Sequence, residues 1–337
     1  MLRLHQYQYH RPSRLDEAIA LLDGREDAMP IAGGTDLVPN MKHRLFTPDH
    51  IVGLKGVREM KGFGLTDALG APAPAEEAAQ LVIGAAETLS TVSRNPLVRR
   101  HYPSLARAAG LIAGPQIRNQ GTIGGNLCLE TRCTYYNQSH FWRQALGYCL
   151  KKDGDICHVT KVGKKCVAAA SADTPPVLIT LGAMVDLASA DGTRSVPVED
   201  FFVADGVWNT VRRPDELVVR VRIPLLAAGT HTAYEKVRQR NSIDFPLLSI
   251  ALAAGLDDDS TVRSISLVVS ALGSRPRVVT GLEKIAVGLS LDEAAEPIAL
   301  QAFKQSHPLE NIIVDTEWRR AMVPIYVRRA LRQIGVS

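Results

Sequence analysis

Apolar side chains fall at helical spacing over residues 14–22, where Leu15, Ala18, Ile19 and Leu22 share a face, with Ser13 and Asp16 as a capping-box start and Gly24 as the stop. The apolar run 29–32 predicts a strand, which leads through Gly33-Gly34-Thr35-Asp36 into a helix over 37–45 and a further strand over 50–54. This alternation describes a small alpha/beta unit. Residues 61–79 are rich in Gly, Ala and Pro and read as a loop or interrupted hairpin. A second unit opens with the strand 81–85, followed by a short helix capped by Thr88 and one longer helix over 97–110 with Leu97, Leu105 and Ala109 on its apolar side. Four glycines lie between Gly114 and Gly125, a density that suits a backbone approached closely by another group. Beyond a polar stretch, order resumes at Pro175, placed for a helix's first turn, and continues with the strand 184–188, the Asp191-Gly192 turn and the strand 217–223. The remainder reads as a separate domain, with strands over 233–239, 249–255 and 262–270 and helices at 290–305 and 316–334. On the last helix Trp318, Arg319, Arg320, Arg328, Arg329 and Arg332 form a side expected to face water.

With 337 residues, 46% of them hydrophobic, the chain has enough core for more than one domain. Its net charge of +4 is spread over short alternations of sign, which argues against a nucleic-acid partner. Neither a membrane-length apolar run nor a secretion-signal pattern occurs, so the expected location is the cytoplasm, with no membrane partner. The five cysteines change the picture, because all of them fall between Cys128 and Cys166. In a reducing compartment such clustering points to metal before disulfides. Their spacing is Cys128-x4-Cys133-x15-Cys149-x7-Cys157-x8-Cys166; no CxxC pair is present, which counts against zinc ribbons and redox dithiols, and the wide spacing suits a larger cluster. Such a cluster with its thiolates is anionic, and from Cys133 to Cys166 the cations Arg143, Lys151, Lys152, Lys161, Lys164 and Lys165 outnumber Asp153 and Asp155 by the same +4 that the whole chain carries. His158 reads as a solvated loop histidine, since five thiols already exceed what a four-iron cluster takes. No Ser-His-Asp, paired-carboxylate or HExxH arrangement marks a hydrolytic site, and no catalytic side chain is assigned.

Two glycine-rich turns remain. Gly33-Gly34-Thr35-Asp36 sits between a predicted strand and helix, where unpaired amides hold anions, and Thr122-Ile123-Gly124-Gly125-Asn126 repeats the theme in the second unit. A ligand with two adjoining phosphates lying between the units accounts for both, as does a pair of ordinary structural turns. The GxGxxG fingerprint is absent.

AGGTDL (residues 32–37), TIGGNL (122–127), ADTPP (172–176) and Tyr234-x-Lys236 with Arg240 and Asp244 resemble, in order and over nearly the whole chain, the FAD-binding medium subunits of the molybdenum hydroxylases, the xanthine dehydrogenase group. Most members pass from the GGN turn to the Ala-Asp segment in far fewer residues, and the excess here holds the cysteines. That insert, with Cys133 to Ser139 reading CTYYNQS and 147–151 reading GYCLK, is similar to the beta subunit of 4-hydroxybenzoyl-CoA reductase.

The resemblance implies an α+β chain: a two-part FAD-binding domain of vanillyl-alcohol-oxidase type over 1–56 and 57–226, an iron-sulfur insertion at about 128–168, and a C-terminal α+β domain over 227–337. It implies that Pro30, Ile31, Ala32, Gly33, Gly34, Thr35, Asp36 and Leu37 wrap the pyrophosphate, and that Gly121, Thr122, Gly125, Asn126 and Leu127 complete the phosphate and flavin surround. Asp173 matches the family's ribose- or phosphate-side acid, Leu217 the wall near the adenine and Lys236 the lysine near the flavin ring. The implied cofactors are FAD and a 4Fe-4S cluster. The implied partners are a large molybdopterin subunit and a small 2Fe-2S subunit, two copies of each. Electrons would pass from a ferredoxin through cluster and FAD to molybdenum for reductive dehydroxylation. A related hydroxylase oxidising another aromatic or heterocyclic substrate, and a zinc-stabilised nucleotide-binding scaffold, remain alternatives. Of the five thiols, Cys133, Cys149, Cys157 and Cys166 bracket the insert and are expected as cluster ligands. Cys128, two residues past the glycine turn, is expected as a spare, buried thiol.

Overall fold

Three sheets organise the computed structural model, which describes residues 3–160 and 163–335; Lys161, counted above among the insert's cations, lies outside the described residues. The first sheet is parallel, with β1 (Gln8–His10), β2 (Ala28–Ile31) and β3 (His50–Gly53) in the order β1-β3-β2. Parallel neighbours need crossovers, and the two predicted helices supply them as Leu15–Leu22 and Leu37–Lys42. The first is capped one position later than expected: Glu17, not Asp16, accepts from the Ser13 and Arg14 amides, while Asp16 pairs with the Arg14 guanidinium. The second stops at Lys42, and Arg44 adopts a φ of 55° that no helix continues.

The second sheet is antiparallel. It comprises β4 (Phe63–Thr66), β5 (Gln80–Gly84), β6 (Met184–Ser189), β7 (Gly192–Pro197) and β8 (Leu217–Pro224) in the order β4-β5-β8-β6-β7. The interrupted hairpin is thus real, and β4 is its outer strand. The helix expected over 97–110 is two helices, Pro96–His101 and Pro103–Leu111, because Pro103 has no amide to donate and pushes Tyr102 out of the helical region. The freed Tyr102 is fully buried, and its hydroxyl donates to the Ile223 and Pro224 carbonyls at 3.1 and 2.9 Å, tying the break to the end of β8.

The third sheet is also antiparallel, in the order β12-β11-β10-β9, with β9 (Thr230–Val237), β10 (Leu248–Leu256), β11 (Val262–Ser270) and β12 (Arg277–Val278). Every residue of β10 is buried, since helices cover both faces of this sheet. Helices Leu291–Gln305 and Thr316–Gly335 close one side over Ile250, Leu252 and Leu267. On the other side Tyr234, Ala251 and Val268 join the core of the second sheet. The sheet therefore bridges two cores, which brings β9 within reach of the glycine-rich segments.

The described residues of 128–168 contain one short helix, His140–Ala145, and otherwise turns and isolated bridges. Polar anchors hold them. Arg143, 1% exposed, donates to the His43 carbonyl at 2.7 Å, and Asn311 accepts from the Thr134 amide through its carbonyl while its side chain donates to Val167. No helix among the described residues is long and apolar enough to cross a membrane.

The expectation of a solvated face on the last helix fails at Arg319, which is fully buried. Its guanidinium donates to the carbonyls of Leu247, Leu309 and Ala271 at 3.0, 3.0 and 2.6 Å, satisfying three chain segments at once. Burial lowers its pKa to about 10, still charged at neutral pH. Arg319→Met should strand those acceptors and lower unfolding free energy by about 3 kcal/mol, read as a reduced urea midpoint at unchanged slope.

Candidate functional site

The two glycine-rich segments meet backbone to backbone. Beyond β2 the chain runs through Ala32 into Gly33, and a Cβ built there would lie 2.1 Å from the Gln120 carbonyl oxygen and 2.8 Å from the Gly121 nitrogen. Thr122 caps the helix Ile123–Leu127, its hydroxyl accepting from the Gly125 amide at 3.0 Å. The glycines divide by role. Gly33 and Gly124 permit chain contact, the latter against Ala85; Gly34 supplies a φ of 71°; Gly125 is exposed. Pro30 to Leu37 are half-buried throughout, and the amides of Gly33, Gly34, Thr35 and Asp36 donate to no group among the described residues. Four unspent donors on a half-buried turn fit a phosphate-bearing cofactor.

Asp36 faces the insert. Its carboxylate pairs with Arg132 and accepts from the Glu130 amide at 3.2 Å and the Asn40 side chain at 3.3 Å. Sequence reasoning passed over Glu130 and Arg132; the available signal was three charge-bearing or polar positions packed between Cys128 and Cys133.

From the second turn the path continues inward. The Asn126 side-chain oxygen accepts from the Thr174 amide at 3.1 Å and its hydroxyl at 2.6 Å, fixing the start of the helix Thr174–Thr180. Just before it, Asp173 accepts from the Tyr234 hydroxyl at 2.6 Å and from Lys236 Nζ at 2.9 Å. The two expected groups, Asp173 and Lys236, are therefore one buried ion pair, completed by the Leu111 carbonyl. Burial pushes the Asp173 carboxyl above the usual carboxylate range and the Lys236 ammonium below the usual lysine range, each opposed by its partner's charge. Leu217 begins β8 opposite Ala188 and is 2% exposed, part of the second sheet's core and apart from this pair.

Cys133, Cys149, Cys157 and Cys166, 7 to 8% exposed, line a single cavity with Tyr136 and Lys151. No group of three or more His, Cys, Asp or Glu side chains among the described residues is arranged to hold a metal ion. Burial raises the Cys133 thiol to about 11, with Cys166 and Cys149 adding to the rise, and raises Cys166 as well. Two sequence expectations are corrected. Cys128 lies outside the cavity, as expected of a spare thiol; the residue is exposed at the end of its short helix, yet burial of the thiol itself raises its pKa, opposed by the neighbouring Arg212 charge. His158 is half-buried instead of solvated: its Nε2 lies 2.6 Å from the Tyr148 carbonyl oxygen and its ring packs on Tyr135 at 5.2 Å.

Comparison with known proteins agrees with this geometry. Residues 5–226 match the FAD binding domain in molybdopterin dehydrogenase, and residues 232–334 the CO dehydrogenase flavoprotein C-terminal domain. The carbon monoxide dehydrogenase medium chain of Hydrogenophaga pseudoflava is 29% identical over 97% of this chain and 96% of its own. The aldehyde oxidoreductase FAD-binding subunit of Escherichia coli is 31% identical over 90% and 91%. Among solved structures, carbon monoxide dehydrogenase from H. pseudoflava superposes with a TM-score of 0.77 at 28% identity, covering 99% of both chains. The reconstituted CO dehydrogenase of Oligotropha carboxidovorans gives 0.78 at 26%, with the same coverage. The chain belongs to the molybdenum hydroxylase family and is the FAD-binding medium subunit of such an oxidoreductase complex.

Proposed function

We propose that this subunit carries a four-iron, four-sulfur cluster beside its FAD and relays electrons from a ferredoxin to a molybdenum subunit that reductively dehydroxylates a 4-hydroxybenzoyl-CoA-type thioester. The observation that carries this reading is the convergence of Cys133, Cys149, Cys157 and Cys166 on one cavity while Cys128 stays outside it. Four thiols lining one cavity suit the corners of a polynuclear core. Bound FAD would supply the junction between one-electron carriers and a two-electron conversion. The chain's part is to bind and orient. The amides of Gly33 to Asp36 would hold the pyrophosphate, with the Thr35 hydroxyl beside them. Gly125, Asn126 and Leu127 would border it from the second turn, and Lys236 would stand toward the ring, its charge kept by Asp173.

In this reading residues 1–56 and 57–226 form the FAD-binding parts and 227–337 the C-terminal domain. A large molybdopterin subunit and a small 2Fe-2S subunit, two copies of each, complete the assembly, and substrate binds in the large one. A second reading, oxidation of another substrate, draws on relatives named carbon monoxide dehydrogenase and nicotine 6-hydroxylase. Turnover of the purified complex with benzoyl-CoA-type thioesters under a low-potential donor separates the two.

Single serine variants test the cluster. Cys133→Ser, Cys149→Ser, Cys157→Ser and Cys166→Ser should each lower bound iron by about four per chain, whereas Cys128→Ser should leave it unchanged. Full iron in Cys133→Ser together with loss in Cys128→Ser would overturn the ligand set. The flavin site has its own test. Gly125 is exposed and its Cβ would meet only Thr122 and Ala32, so Gly125→Val should fold yet lose most bound flavin, measured as the ratio of visible to protein absorbance. Stoichiometric flavin in that variant sinks the assignment of this turn.

A further inference from the structure

Lys151 has 3% of its side chain exposed, in an insert with little apolar sequence to bury it. Its ammonium donates to the Glu130 carboxylate, to the Thr131 hydroxyl at 2.6 Å and to the Gly206 carbonyl, and it lies 4.8 Å from the centre of the Tyr136 ring. All three of its protons are thus used by fixed partners, so the charge is held in one place. Of the ion pair, only the lysine lines the cysteine cavity; Glu130 stands behind it. The pair is a dipole with its positive end toward the thiols. On the other side this strap, residues 130–132, is tied to the first glycine turn, where the Glu130 amide and the Arg132 guanidinium both hold Asp36.

A buried ion pair is costly to desolvate and persists only where its geometry is satisfied. Here the satisfied geometry delivers a cation to a cavity that, filled by an iron-sulfur core and four thiolates, would hold net negative charge. Reduction adds a further negative charge, and a nearby fixed cation favours the reduced form, the more so in a site shielded from water. Resting on the four-cysteine reading above, we propose that Lys151, pinned by Glu130, raises the cluster's reduction potential and thereby sets the potential step between cluster and flavin.

The test is a redox titration of the purified complex carrying Lys151→Met, Lys151→Arg or Glu130→Gln, with the four-iron centre followed by electron paramagnetic resonance and iron and flavin counted first. Lys151→Met should shift the cluster midpoint downward at unchanged iron and flavin, and Lys151→Arg should restore most of the shift. Glu130→Gln should move it upward, because the ammonium loses its counter-charge. A wild-type midpoint in Lys151→Met at full iron overturns the proposal. If Lys151→Met retains no iron, Glu130→Gln decides, and an unshifted or lowered midpoint there overturns it equally. A wild-type complex without a four-iron signal rejects the cluster reading itself, which is a different outcome from an unmoved potential.

Discussion

Gly33 meets Gln120 and Gly121 so closely that a single Cβ atom would overlap a carbonyl oxygen. The contact is steric, and no side chain can relax it. It presses the turn that follows β2 against the segment that leads into the helix Ile123–Leu127, so two parts of the chain some ninety residues apart in sequence face the same region. From there the order is passed on by hydrogen bonds. Asn126 fixes Thr174, Asp173 is thereby set against the third sheet, and Tyr234 and Lys236 reach it from β9. Three sheets contribute to one site because one backbone approach aligns the first two and one buried carboxylate recruits the third.

The insert is ordered by other means. It buries few large apolar side chains and is instead anchored at polar points: Arg143 on the end of the helix Leu37–Lys42, Asn311 against Thr134 and Val167, Arg132 on Asp36. Such anchoring is stable only when nearly every buried group finds a partner, and Arg143 still leaves one buried nitrogen without one. Burial pushes the Cys133 and Cys166 thiols upward, so ligation there would replace neutral side chains with charged, cross-linked ones.

Elements with strong local patterns were legible in the sequence. The strand Val262–Ser270 has the bounds its alternation predicts, and the helix Leu291–Gln305 starts one residue from the expected Ser290. β7 was missed because four of its six residues, Gly192 to Ser195, are exposed and polar, leaving no apolar run to detect. The broken helix at Tyr102 was legible in principle, since Pro103 stands in the sequence. Arg319 was not, because only the tertiary arrangement reveals three carbonyls around it. In the site, the glycine turns and the four thiols could be read from composition and spacing. The reasons for individual glycines could not: Gly33 and Gly124 serve chain contact, which depends on segments distant in sequence.

Charge explains why the insert and the flavin turn are built as one piece. Asp36 sits at the end of four unspent amides that favour a phosphate, and an unpaired carboxylate there would repel it. Arg132, delivered by the insert, neutralises that carboxylate and stacks its guanidinium over the Phe245 ring at 4.7 Å, while Glu130 beside it turns its own charge the other way, toward Lys151. Residues two apart in one segment thus present a cation to the flavin side and, through an anion, a cation to the cysteine side. Both sides receive positive charge where their expected contents are negative, and the two arrangements meet at the Asp36 carboxylate, which holds the Glu130 amide and the Arg132 guanidinium.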